Sequence, residues 1–136
     1  MRTLVLALSL FLAALCSSAL ADGKKHVTLH IINKTNYDFI NGNAEHKQVN
    51  VNSVQSTVPK GQTGLVKFHF DEDTFSDVKM YVTYTLASDD DNTVEVKYHV
   101  TKSGFDCSME APANVATSHD DCSDPDVHYE FVSNPS

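Results

Sequence analysis

The chain has 136 residues, with 10 Lys+Arg against 18 Asp+Glu, a formal charge of −8, three Cys and no Trp. Acidity of this degree excludes an ordinary nucleic-acid binder, whose phosphate contacts need concentrated Lys or Arg, and an anchor that works mainly by attraction to anionic lipid. The length allows a single domain with a modest core.

Residues 1–21 begin with Arg2, continue through apolar runs at Leu4–Leu8 and Leu10–Cys16, and close on Ala19-Leu20-Ala21. A basic start, a short apolar centre and small residues at the end describe a cleaved secretory signal, too short for a stable membrane span. The expected mature chain, residues 22–136, is one domain with nine Lys, no Arg and 18 acids. It holds 14 Val and 10 Thr but only three Leu, a choice that favours strands over helices.

Period-two alternation then marks the strands in order. In His26–Asn33, Val27, Leu29 and Ile31 face away from Thr28 and His30; a weaker strand is expected at Tyr37–Ile40. Lys47–Val54 alternates Val49 and Val51 with Asn, and Gly64–Phe70 sets Val66, Phe68 and Phe70 against Lys67 and His69. Lys79–Ala87 and Thr93–Thr101 give the cleanest patterns. A further strand is expected through Phe105–Met109, and Val127, Tyr129 and Phe131 alternate with His128 and Glu130 near the end. Turn-forming runs separate them at Asn33–Asn36, Asn41–Asn43, Pro59–Gly61, Ser88–Asn92 and Lys102–Gly104. Ser108–Asp126, poor in large apolar residues, is expected to be a long surface loop. Seven or eight such strands with no crossover helices predict an all-β fold, an antiparallel β-sandwich.

With Cys16 in the signal, Cys107 and Cys122 are expected to form one disulfide, since two thiols in an oxidising compartment allow one pairing. The loop closed is about 15 residues, for which chain entropy gives roughly 3 kcal/mol. No elbow, phosphate loop or zinc-protease motif is present, so no catalytic residue is assigned and a non-enzyme is expected. The aspartates Asp120, Asp121, Asp124 and Asp126 are the best calcium candidates, because the disulfide restrains them and calcium takes clustered oxygen ligands. No other cofactor is implied. Four of the seven histidines, His30, His69, His99 and His128, fall on wet strand faces, where neighbours could form a zinc site or pH sensor. Asn33-Lys34-Thr35 is an Asn-x-Thr sequon, a candidate glycan site at Asn33. Tyr37, Phe75, Tyr81 and Phe105 are the aromatic residues expected to be exposed, and such rings enter lipid interfaces or stack on sugars.

The pattern from Val27 to about Met109 resembles the secreted aegerolysins and, more distantly, the actinoporins. The resemblance rests on Ile31-Ile32-Asn33-Lys34-Thr35 closing the first strand and on Val58-Pro59-Lys60-Gly61 before another. Met80–Leu86 with the acidic hairpin Asp89-Asp90-Asp91, then Val94–Val100 and the Lys102-Ser103-Gly104 turn, complete it. It implies a compact β-sandwich that binds membrane lipid or another cell-surface component. Both families use Trp-rich lipid-facing loops and actinoporins insert an N-terminal helix, whereas this chain has no Trp and only Asp22–Lys25 before its first strand. Independent pore formation is therefore not expected. The expectation is a secreted, monomeric, toxin-like or host-interacting protein that meets membrane lipid or cell-surface glycan peripherally. The alternative is a calcium-binding structural or defensive extracellular protein.

Overall fold

The computed structural model describes residues 23–134; the expected signal segment lies outside the described residues. Nine strands follow in order: β1 (Lys24–Lys34), β2 (Phe39–Lys47), β3 (Asn50–Val54), β4 (Thr63–Asp71), β5 (Asp77–Leu86), β6 (Asp89–Thr101), β7 (Gly104–Glu110), β8 (Val115–His119) and β9 (Asp126–Ser133). They form two sheets, ordered β3-β4-β1-β9-β8 and β2-β5-β6-β7. The expected all-β sandwich is therefore present.

The alternation read in the sequence is what packs the two layers. Val27, Leu29 and Ile31 of β1, Val66, Phe68 and Phe70 of β4, and Val127, Tyr129 and Phe131 of β9 point inward from one sheet. Val78, Met80, Val82, Tyr84 and Leu86 of β5 and Val94, Val96, Tyr98 and Val100 of β6 meet them from the other, all nearly inaccessible to solvent. Each such side chain contributes about 1.5–3 kcal/mol by leaving water. Edge-on ring pairs such as Phe39–Phe131 at 5.3 Å tie the layers together.

All pairings are antiparallel save one: β1 and β9 run parallel, with Thr28 opposite Asp126 and Lys34 opposite Val132. The first and last described strands thus lie side by side at the middle of the larger sheet. The disulfide Cys107–Cys122 (Cα–Cα 6.3 Å) joins β7 of one sheet to the segment before β9 of the other. It clamps the sandwich along one side.

Three local expectations are corrected. The segment Ser108–Asp126 is not a continuous loop, because β8 pairs with β9 from Val115 opposite Ser133 to His119 opposite Tyr129. Of β8 only Val115 is buried, so an edge strand here carries no alternation to read. The second strand runs through the expected break at Asn41–Asn43, which is a bulge between Ile40 and Asn43 in the β2–β5 ladder. Asn41 has φ 54°, and a Cβ on Gly42 would lie 2.5 Å from the Tyr84 ring, so only glycine lets β2 cross there. The third strand starts at Asn50, after a turn at Gln48 (φ 56°). Val51, expected to face the core, is 38% exposed.

Asn33 is also corrected. It is fully buried at the end of β1; its Nδ2 donates to the carbonyls of Tyr37 (2.8 Å) and Val58 (2.9 Å). Its Oδ1 accepts from the amide and hydroxyl of Thr35, at 3.0 and 2.6 Å. Both amide hydrogens are committed inside the fold, so the sequon serves as an internal brace and offers no surface nitrogen for a glycan.

Candidate functional site

At the end of the sandwich where β1 begins, three chain segments build an open cleft of about 270 Å³. Phe70 ends the inward row of β4 and stands opposite Lys25 of β1 in the ladder. Val100 ends the inward row of β6. The turn after β4 is organised by its own acid: the Asp71 carboxylate accepts the Asp73 amide (2.9 Å) and the Asp71 carbonyl accepts that of Phe75 (3.2 Å). Asp71-Glu72-Asp73 is thus a turn device. Gln48 Oε1 then takes the amides of Ser76 (2.8 Å) and Asp77 (2.9 Å) and fixes where the chain enters β5. Phe75 is held between these two anchors and packs edge-on against Phe70 at 5.2 Å. Phe75 also borders a second, polar hollow of about 360 Å³.

The second wall is the β6–β7 turn. Lys102 and Ser103 make the reversal, Thr101 and Ser103 share a hydroxyl hydrogen bond (2.8 Å), and Gly104 takes φ 137°, a conformation that a side chain would strain. This throws Phe105 onto the rim, 40% exposed, where its ring covers Tyr98 at 6.3 Å. Each rim ring carries a cation. Lys102 Nζ stands 4.1 Å from the centre of Phe75 and Lys25 Nζ 4.7 Å from that of Phe105. Lys25 also donates to the carbonyl of Ser123 (3.1 Å). Such contacts contribute about 0.5–1 kcal/mol each at exposed sites. The lining thus combines apolar Phe70, Phe75, Val100 and Phe105 with Lys25, Lys102 and a single carboxylate, Glu72.

Of the four aromatics expected to make contacts, two meet here and two do not. Tyr37 follows β1 at the opposite end, roughly 35 Å away for a strand of this length, and packs partly onto the core while its carbonyl holds Asn33. Tyr81 lies on the outer face of β5, with Lys97 Nζ 5.6 Å above its ring. Lys97 also bridges Glu95 (3.5 Å) and Glu110 (3.4 Å). Partial burial pulls that ammonium down, but Glu110 and Glu95 outweigh it and hold Lys97 above its ordinary value.

The four aspartates expected for calcium take separate partners. Asp126 accepts from His30 Nε2 (3.0 Å), and Asp120 accepts from His128 Nδ1. Asp121 accepts the Ser123 amide (3.0 Å), a hydrogen bond that lowers its pKa, and the amide of Asp124 turns back onto the Asp121 carbonyl (3.3 Å). Among the described residues no group of three or more His, Cys, Asp or Glu is placed to hold a metal. The outer face of the larger sheet does gather histidines: His30 and His128 stack at 4.4 Å, and His26 and His69 lie 5.2 Å apart. Their outward facing was readable from alternation; their partners depend on register, which was not. On the smaller sheet His99 donates to Asp77 (2.6 Å); that bond, with the one from Lys47, lowers the Asp77 pKa.

Lys25, Phe70, Val100 and Lys102 were missed as site residues. The one available signal was local: a lysine two positions before Gly104 and three before an aromatic. No known protein family matches the chain, and no curated protein matches its sequence. Among the described residues no helix is long and apolar enough to cross a membrane.

Proposed function

We propose that the protein is a secreted, non-enzymatic binding module that recognises membrane lipid or cell-surface glycan with the cleft end of its sandwich. One observation carries this reading. Phe75 and Phe105, from turns 30 positions apart in the sequence, stand on one rim, each with a lysine over its ring. Rings at loop ends with cations beside them suit a surface that is apolar at depth and charged at its boundary. The apolar floor of Phe70 and Val100 favours lipid over glycan. The disulfide is consistent with an oxidising, extracellular setting. With Phe as the inserting side chain and no Trp, the contact is peripheral and shallow.

The test is co-sedimentation with phospholipid vesicles alongside a glycan panel, for the wild type and for Phe75→Ala and Phe105→Ala. Binding to one of the two surfaces is expected, weakened about tenfold by either substitution, since burying a Phe is worth about 1.5–3 kcal/mol. No binding to either, or binding indifferent to both substitutions, removes the reading.

A further inference from the structure

Beneath the cleft lies a polar atom with nothing to bond. Tyr98 is fully buried, and its hydroxyl is the one buried side-chain polar atom among the described residues that has no hydrogen-bond partner. Leaving a buried hydroxyl unsatisfied is costly, and a phenylalanine would fill the same space without that cost. The Tyr98 ring is held edge-on by Phe68 at 5.2 Å and by Phe105 at 6.3 Å. Val100, next on the same inward face, lines the cleft. Phe105 thus touches both the cleft and the Tyr98 ring. Burial, and after it the charge of Glu72, push the Tyr98 hydroxyl up. The hydroxyl thus remains a donor.

Charge supplies the second observation. Neither Lys25 nor Lys102 makes an ion pair among the described residues. Two lysines against Glu72 leave the lining net positive in a chain of formal charge −8. A volume of 270 Å³ is below the usual range for whole drug-sized ligands, about 300–1,000 Å³. It suits the head and first part of one chain better than a two-chain lipid.

We propose that the cleft binds a single-chain amphiphile with an anionic head. The head lies between Lys25 and Lys102, the chain rests on Phe70, Phe75, Val100 and Phe105, and outward movement of Phe105 lets the Tyr98 hydroxyl donate to a head oxygen. This rests on the binding reading above and gives that site its ligand class.

Calorimetric titration of the disulfide-intact chain compares laurate, dodecyltrimethylammonium and dodecyl maltoside, each below its micelle concentration. The three share a chain and differ in head. Laurate is expected to bind roughly tenfold more tightly than either of the others. Lys25→Gln with Lys102→Gln should abolish that preference. Tyr98→Phe should leave the unfolding temperature at or above that of the wild type and still weaken laurate several-fold, an outcome that a purely structural tyrosine would not produce. Equal binding of the three heads, laurate binding unmoved by the lysine or tyrosine substitutions, or no laurate heat overturns the proposal. Vesicle or glycan binding that needs Phe75 and Phe105 while laurate is ignored overturns it too, and leaves the broader reading standing.

Discussion

At Asn33 one side chain makes four hydrogen bonds. It joins the end of β1 to the loop at Tyr37 and to Val58, whose backbone bridges Phe39 in both directions at 2.8 and 2.9 Å. Replacing Asn33 with Ala leaves the buried Thr35 amide without its acceptor and takes one donor from each carbonyl, although Tyr37 keeps the Thr35 hydroxyl and Val58 the Phe39 amide. With about 1–3 kcal/mol for a buried group left unpaired, Asn33→Ala should destabilise by about 1–3 kcal/mol in urea unfolding; a change under about 0.5 kcal/mol would contradict the brace. In the sequence the same residues read as a sequon, because a three-residue motif does not disclose burial. The aromatic residues divide on the same ground. Phe105 was legible because Gly104 precedes it, whereas Tyr37 and Tyr81 were chosen from position or parity alone. Parity places a ring on a face and says nothing of the lysine that covers it.

Among the elements, legibility followed burial. β4, β5 and the Thr93–Thr101 part of β6 could be drawn from their sequence because one face of each meets the opposite sheet, whereas Asp89–Asn92, expected in a turn, begins β6 without a buried residue. β8 could not, since its outward and edge-facing residues are all polar or small. β2 was cut short because Asn41-Gly42-Asn43 reads as a turn, and only the Tyr84 ring against Gly42 explains why the strand continues through a bulge. The pairing of β1 with β9 depends on contacts nearly 100 positions apart, beyond any local pattern. The disulfide was legible by elimination. Its place in the fold was not: the bridge holds β7 to the segment that carries Ser123, whose carbonyl receives Lys25. Changing Cys107 and Cys122 together to Ser should cost about 3 kcal/mol by the chain-entropy estimate for such a loop. Equilibrium unfolding measures it, and an unchanged midpoint would mean that the bridge does not constrain the unfolded chain.

Over the whole molecule, the acidic residues lie on strand faces and turns while the core carries three buried tyrosines. Burial pushes Tyr84 up to about 12, from an ordinary value of 10.0, and raises Tyr98 and Tyr129 further. A raised folded pKa means that the unfolded chain loses its phenolic protons first. The stability linked to these groups is therefore complete below pH 10, falls as pH rises past it, and is gone above their folded values. Unfolding followed by circular dichroism should show a steep alkaline loss beginning near pH 10; a flat profile to pH 12 would contradict the packing of these rings. The same sandwich presents several surfaces, namely the Tyr37 end, the Tyr81 face, the histidine face of the larger sheet and the cleft. We propose recognition at the cleft because two of the expected aromatics line it together, over an apolar floor, with lysines on both rings. Amide chemical-shift mapping on adding phospholipid bicelles tests that assignment most directly. Perturbations should centre on Lys25, Phe75, Lys102 and Phe105 and fade toward Tyr37. Shifts centred on Tyr37, on Tyr81 or on Asp120–Asp126, with the cleft silent, would contradict it.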